Sequence, residues 1–293
     1  MALAAFLVRG GIVLVVLPIV SLPTEASAAN AVAPLAVALG FGAPTPETIL
    51  RILLVAGVLF AWLIGAGLAG AALDLRLTAE AAADDELELD VSTLEQPVWR
   101  AMTTRFIVHI PTALAIGYAS VRLGQAAYDE LLHPGSSAIP IAFRVLGRAP
   151  DAALLLIATW LVAEAIAGLA TRALASGAGV GESLLAAARR LVTPSGLATL
   201  VVTTMGLIAL AVPFWLAASR SWDHLRAYLV DGVDLGQIVA ALALLVAIWI
   251  LGLALIGLGL AWRSAAWTQV WYATRVPERA GIGFPDAAGA EGA

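Results

Sequence analysis

Glu164 stands near the middle of the apolar run Ala152 to Leu174. A carboxylate that deep in hydrocarbon costs roughly 2.5–3.5 kcal/mol on insertion scales, which makes it a functional candidate by default. Desolvation favours its neutral form. Such a group can relay a proton or cation, or grip a polar substrate. It can equally be a neutral glutamate hydrogen-bonded to a neighbouring helix, and Thr199, Thr203 and Thr204 are the partners the sequence offers for that role.

Arg105 and His109 are four residues apart and share a helix face. With Thr112 one turn further on, they have the chemistry to hold a phosphate or an anionic headgroup. The competing expectation is an arginine snorkelling to the headgroups and a histidine satisfied locally. The three histidines, His109, His133 and His224, fall in different segments without a second ligand at metal spacing, so neither a metal site nor a haem is expected.

Ser176 to Ser183, "SGAGVGES", is one letter from a phosphate-binding loop, with Glu182 where lysine would stand. Such a loop needs a preceding strand and a lysine to pair with phosphate. Here an apolar run of membrane-spanning length precedes it and a carboxylate would repel the ligand, so no nucleotide is expected. Gly177, Gly179 and Gly181 read instead as a helix break. Glu182 then suits the positive end of a new helix. In that helix Leu184, Leu185, Ala188 and Leu191 lie on one side and Arg189 and Arg190 toward the other, the pattern of a short interfacial helix.

The elements that position these groups follow from composition. Of 293 residues, 61% are hydrophobic and 13% charged, about half the charged share of a soluble domain, so lipid must solvate much of the chain. The formal charge of −5 gives no basic footprint for nucleic acid. With no cysteine, disulfides and thiolate-ligated metals are excluded. Spans of about 20 apolar residues are expected at 2–22, 49–73, 104–123, 152–174, 196–219 and 236–262. The first is open to a second interpretation, a signal peptide cleaved near Ala26-Ser27-Ala28. Asp74 is expected to close the second span, followed by an acidic cytoplasmic loop at 77–98 that serves as a solvated connection or a dock for a basic partner. Residues 276–293 read as a disordered tail.

The tripeptide Gly-Leu-Ala recurs at Gly67, Gly168 and Gly259, near the ends of three spans, and Arg172 and Arg263 follow the second and third copies by two residues. Pro18, Pro111 and Pro213 mark the spans between. This echo points to three tandem helical hairpins. With six spans, Arg9, Arg76, Arg100, Arg105, Arg172, Arg189, Arg190, Arg263, Arg275 and Arg279 share one face. Arg51, Arg122, Arg144, Arg148, Arg220 and Arg226 take the other, a positive-inside bias that places both termini in the cytoplasm. Pairs such as Gly65 with Ala69, Ala66 with Gly70, and Gly257 with Ala261 permit close helix approach within the bundle or between copies. Trp262, Trp267, Trp271 and Tyr272 read as one interfacial belt, and Trp215, Trp222 and Tyr228 as the other.

The expectation is an all-α polytopic bundle of the cytoplasmic (inner) membrane, with the bilayer and other copies or membrane proteins as partners. No cofactor is expected. Lacking a catalytic set, it is expected to act as a scaffold or accessory subunit of a membrane assembly. The alternative is a transporter or permease for a small or lipid-like molecule centred on Glu164. An intramembrane enzyme using Arg105 and His109 on a phospholipid trails both.

Overall fold

The computed structural model describes residues 1–20, 46–84, 97–133, 141–232 and 234–272. These are helical throughout, with no strand among them. We label the helices α1 (Ala2–Ile19), α2 (Pro46–Asp84), α3 (Pro97–Val108), α4 (Ile110–Leu132), α5 (Ile141–Arg148), α6 (Pro150–Ala175), α7 (Val180–Leu191), α8 (Pro194–Asp231) and α9 (Leu235–Tyr272). Five of them are long and apolar enough to cross a membrane, or six if α3 and α4 count as one span bent by 40°. Most of the large apolar side chains of α8 and α9 face outward, as lipid-facing residues would.

Local chemistry sets the boundaries. Proline opens α2, α3, α6 and α8, where its fixed φ suits the first turn and its missing N–H costs nothing. The Thr193 hydroxyl accepts from the Gly196 N–H at 3.1 Å and caps α8. Gly177, at φ 89°, ends α6, and the Ala178 N–H reaches back to the Ala173 carbonyl. The "SGAGVGES" stretch therefore joins two helices, with Glu182 in the first turn of α7 as expected.

Several expected boundaries move outward. The second helix runs to Asp84 rather than ending at Asp74, because Leu77 to Ala83 is rich in alanine and Asp74 is turned inward onto arginines. The first eight residues of the expected acidic loop are thus helical, and 85–96 lie outside the described residues, as do the tail at 276–293 and the expected cleavage site. The third span is broken at His109, where Pro111 in the next turn leaves the backbone at φ −87° and ψ 0°. In α1 the chain stays helical to Ile19, but Gly10 takes φ 102° and interrupts the helix beside Arg9.

Helix α6 is the hub: it packs on α2, α3, α4, α7 and α9. Ala165, Leu169, Ala170 and Ala173 meet Ala187 and Leu191 of α7 and Trp267 and Trp271 of α9. The two tryptophans are 3% and 7% exposed, so they belong to the core rather than to the interfacial belt expected for them; only Trp262 of that set is outward, at 46%. They turn inward because the alanines of α6 and α7 leave room for an indole. The same contact rotates α7, burying Ser183, Ala187 and Leu191 while Leu185 faces out. Arg190 donates to the Val270 and Trp271 carbonyls at 3.1 and 3.2 Å, closing the end of α9.

Helices α8 and α9 pair through small residues that admit large ones. A Cβ on Gly252 would fall inside the Phe214 ring, and one on Gly206 would meet Trp262 at 2.8 Å. Phe214 in turn meets Trp249 edge-on, centroids 6.3 Å apart. Gly257 receives Leu3 of α1, which ties the first helix to the last.

Candidate functional site

The bends and small residues bring the charged ends of five helices together. From α1, Arg9 donates Nη1 to Asp74 Oδ2 at 2.7 Å. From α3, Arg105 donates Nη2 to the same oxygen at 2.8 Å, and Nη1 to Glu164 Oε1 at 3.3 Å. His109 Nε2, at the α3–α4 break, is 3.3 Å from that Glu164 oxygen. The result is a continuous chain of alternating charge, Arg9, Asp74, Arg105 and Glu164, with the His109 ring at its end. Gly70 makes this possible, since a Cβ there would meet Arg9 Cγ at 2.9 Å.

Two further arginines complete the site. Arg172 of α6, 4% exposed, donates Nη1 to its own Gly168 carbonyl at 2.6 Å and Nε to Thr268 of α9 at 3.0 Å. Its Nη2 reaches the Ser264 hydroxyl at 3.0 Å and the Ser264 carbonyl. Among the described residues no carboxylate lies within ion-pair distance of it. Arg263 of α9 makes no hydrogen bond or ion pair among the described residues, and it lines the same cavity.

That cavity holds about 100 Å³ and is lined by Arg9, Asp74, Arg105, Glu164, Arg172 and Arg263, with Ser264, Thr171 and Trp267 among the remaining walls. Four guanidinium groups against two carboxylates leave a charge of +2 before His109 is counted. Among the described residues Arg172 is buried without a carboxylate partner and Arg263 is half-buried, and holding guanidinium charge away from water without a counter-ion is expensive. Arginine presents a planar fork of donors suited to carboxylate, phosphate or sulfate oxygens. The lining therefore has the chemistry to receive an anion of that kind.

The expected site residues divide accordingly. Glu164, Arg105 and His109 are brought together. Glu164 is held by Arg105 and His109 rather than by threonines. Thr199 and Thr203 are not its partners, because Thr203 Oγ1 donates to the Thr199 carbonyl at 2.7 Å, one turn back in its own helix. Thr112 sits one turn from His109, buried with no partner for its hydroxyl among the described residues. The sequence did not single out Arg9, Asp74, Arg172 or Arg263 as one site. A signal existed, since Arg172 and Arg263 follow repeated Gly-Leu-Ala copies and Arg9, Arg172 and Arg263 were all expected on one face.

A second charged cluster occupies the other end of α4 and α6. Glu130, 2% exposed, is held by Arg144 at 2.8 Å and Arg148 at 2.6 Å. This accounts for α5, which the sequence did not announce. Nearby, Tyr118 and Arg122 bind Asp151 at 2.6 and 3.5 Å, with Arg122 and Asp151 nearly half exposed. Each of its three arginines contacts a carboxylate, so it reads as a structural clamp. Among the described residues no three His, Asp or Glu side chains converge as metal ligands.

No protein-family model, curated protein or solved structure matches this chain, so its function must be argued from the cavity itself.

Proposed function

We propose that the chain is a multi-pass membrane protein whose arginine-lined cavity binds a small oxyanion, or the anionic head of a lipid, as a permease-like carrier. One observation carries the proposal: among the described residues, four arginines from four helices converge on one cavity with two carboxylates to balance them. A scaffold has no need of uncompensated buried charge. In this proposal the chain crosses the inner membrane six times in three tandem hairpins, with α3 and α4 as one bent span and α7 at the interface. The cavity then opens toward the arginine-rich face, the cytoplasmic one by charge bias. Carriers commonly place such sites where helices are interrupted, as α1 is at Gly10 and α3–α4 at His109.

The scaffold or accessory-subunit alternative rests on a different observation. Gly57, Gly65, Gly117 and Gly124 have nothing within 4 Å of where a Cβ would stand, so small-residue faces are left open for other helices.

Purified protein titrated with sulfate, inorganic phosphate and short-chain phosphatidic acid, at constant ionic strength, tests the proposal. A rise in melting temperature is expected in the native protein and not in Arg263→Gln. Phosphatidic acid alone raising it identifies a lipid headgroup; the inorganic ions doing so identifies a soluble anion. No response beyond the chloride control overturns the anion assignment. Copies that cross-link through α2 or α4 would then support the scaffold.

A further inference from the structure

We infer that the cavity takes its anion together with a proton, held between His109 Nε2 and Glu164 Oε1. The inference rests on the anion assignment and adds the linkage to it. His109 Nδ1 is 2.8 Å from the Arg105 carbonyl. A carbonyl oxygen only accepts, so Nδ1 must carry a hydrogen. In a neutral imidazole the other nitrogen, Nε2, then presents a lone pair. A carboxylate oxygen lies 3.3 Å from that nitrogen. Two lone pairs at this distance repel, and one proton on Nε2 converts the contact into an ion pair. The geometry therefore has a place for one proton, supplied by water through the cavity and bonded to the Nε2 lone pair.

The surroundings determine what that proton does. Arg9 of α1, Asp74 of α2, Arg105 of α3, Arg172 of α6 and Arg263 of α9 face the same cavity. With the proton absent, their charges and that of Glu164 sum to +2; with it present, the site reaches +3. An anion gains from the added charge, and its presence offsets the repulsion the arginines exert on an imidazolium. Each ligand thus strengthens the other, and the coupling is reciprocal. His109 is not itself a wall of the cavity, but it touches Glu164, which is, whereas His133 and His224 are exposed; His109 is therefore the histidine that can carry this linkage.

Sulfate is the probe, because its own charge is constant between about pH 5 and 8, the window in which a histidine exchanges its proton. Isothermal titration in buffers of different ionisation enthalpy counts protons taken up per sulfate. Native protein is expected to take up a fraction of a proton, about one half at most for a tenfold coupling and largest where the affinity changes most steeply with pH. Its affinity should weaken about tenfold from pH 5 to pH 8, a typical site-to-site coupling. In His109→Gln the pH slope and proton uptake should vanish, whatever the remaining affinity. Sulfate binding without proton uptake in the native protein overturns this inference and leaves the anion site standing. A slope that persists in His109→Gln overturns the assignment to His109. Absence of sulfate binding at every pH overturns the anion site itself. Should His109→Gln not fold, the proton count on native protein still decides the outcome.

Discussion

Asp74→Asn tests the electrostatics of the cavity most directly. In the native protein one oxygen, Oδ2, binds Arg9 at 2.7 Å and Arg105 at 2.8 Å. The two guanidinium nitrogens are therefore no more than about 5.5 Å apart, and without the carboxylate they repel by about 3 kcal/mol at an effective dielectric of 20. Removing one partner from a buried ion pair costs about 3–5 kcal/mol. The three side chains keep 13–23% exposure, so we place the loss near the lower end, about 3 kcal/mol. In detergent this should lower the melting temperature by on the order of 10 °C. The same change raises the cavity charge by one unit. Sulfate should consequently stabilise Asp74→Asn more than it stabilises native protein. Adding Arg9→Met should restore part of the lost stability, since the repelling pair is gone. Melting within about 2 °C of native protein would show that Asp74 holds nothing together. An unchanged sulfate increment would refute the claim that net charge governs the site.

Four further outcomes follow from the same geometry. Arg172→Met should abolish the sulfate response yet melt within about 5 °C of native protein, because it removes a buried charge that has no carboxylate partner, as a melting series with and without sulfate will show. Glu164→Gln should fold while losing proton uptake, whereas Glu164→Leu should lose about 2–4 kcal/mol because Arg105 and His109 keep no acceptor there; thermal unfolding separates the two. Gly252→Val should cost about 1–3 kcal/mol by overpacking against Phe214, and Phe214→Leu in the same chain should recover most of it in the same assay. Intact mass of protein purified from membranes should include the segment carrying Arg9; a mature form beginning after Ala28 would remove one wall of the site.

Much of the fold was readable along the chain. Apolar runs separated by Pro, Gly and charge placed α6 within a few residues of its ends, and proline and glycine marked where helices start and stop. The errors have physical causes. Asp74 reads in the sequence as the close of a span, yet the helix continues through it to Asp84, with Asp74 paired to Arg9 and Arg105, which are distant in sequence. Trp267 and Trp271 have the composition of a belt, but the alanines of α6 and α7 decide that they are core. Glu164, Arg105 and His109 were legible as polar residues in apolar surroundings. Their partnership was not, because 55 or more residues separate Glu164 from the other two.

Composition and periodicity by themselves determined that this chain forms helices long and apolar enough to cross a membrane. They also marked Glu164 as costly. Which arginines answer that cost was decided only by tertiary structure. Long side chains reach across helix ends, so the identity of a partner depends on bends at Gly10 and His109 and on the space left by Gly70. Pairing across α1, α2, α3, α6 and α9 is a property of how helices are placed, and one-dimensional spacing carries no measure of it.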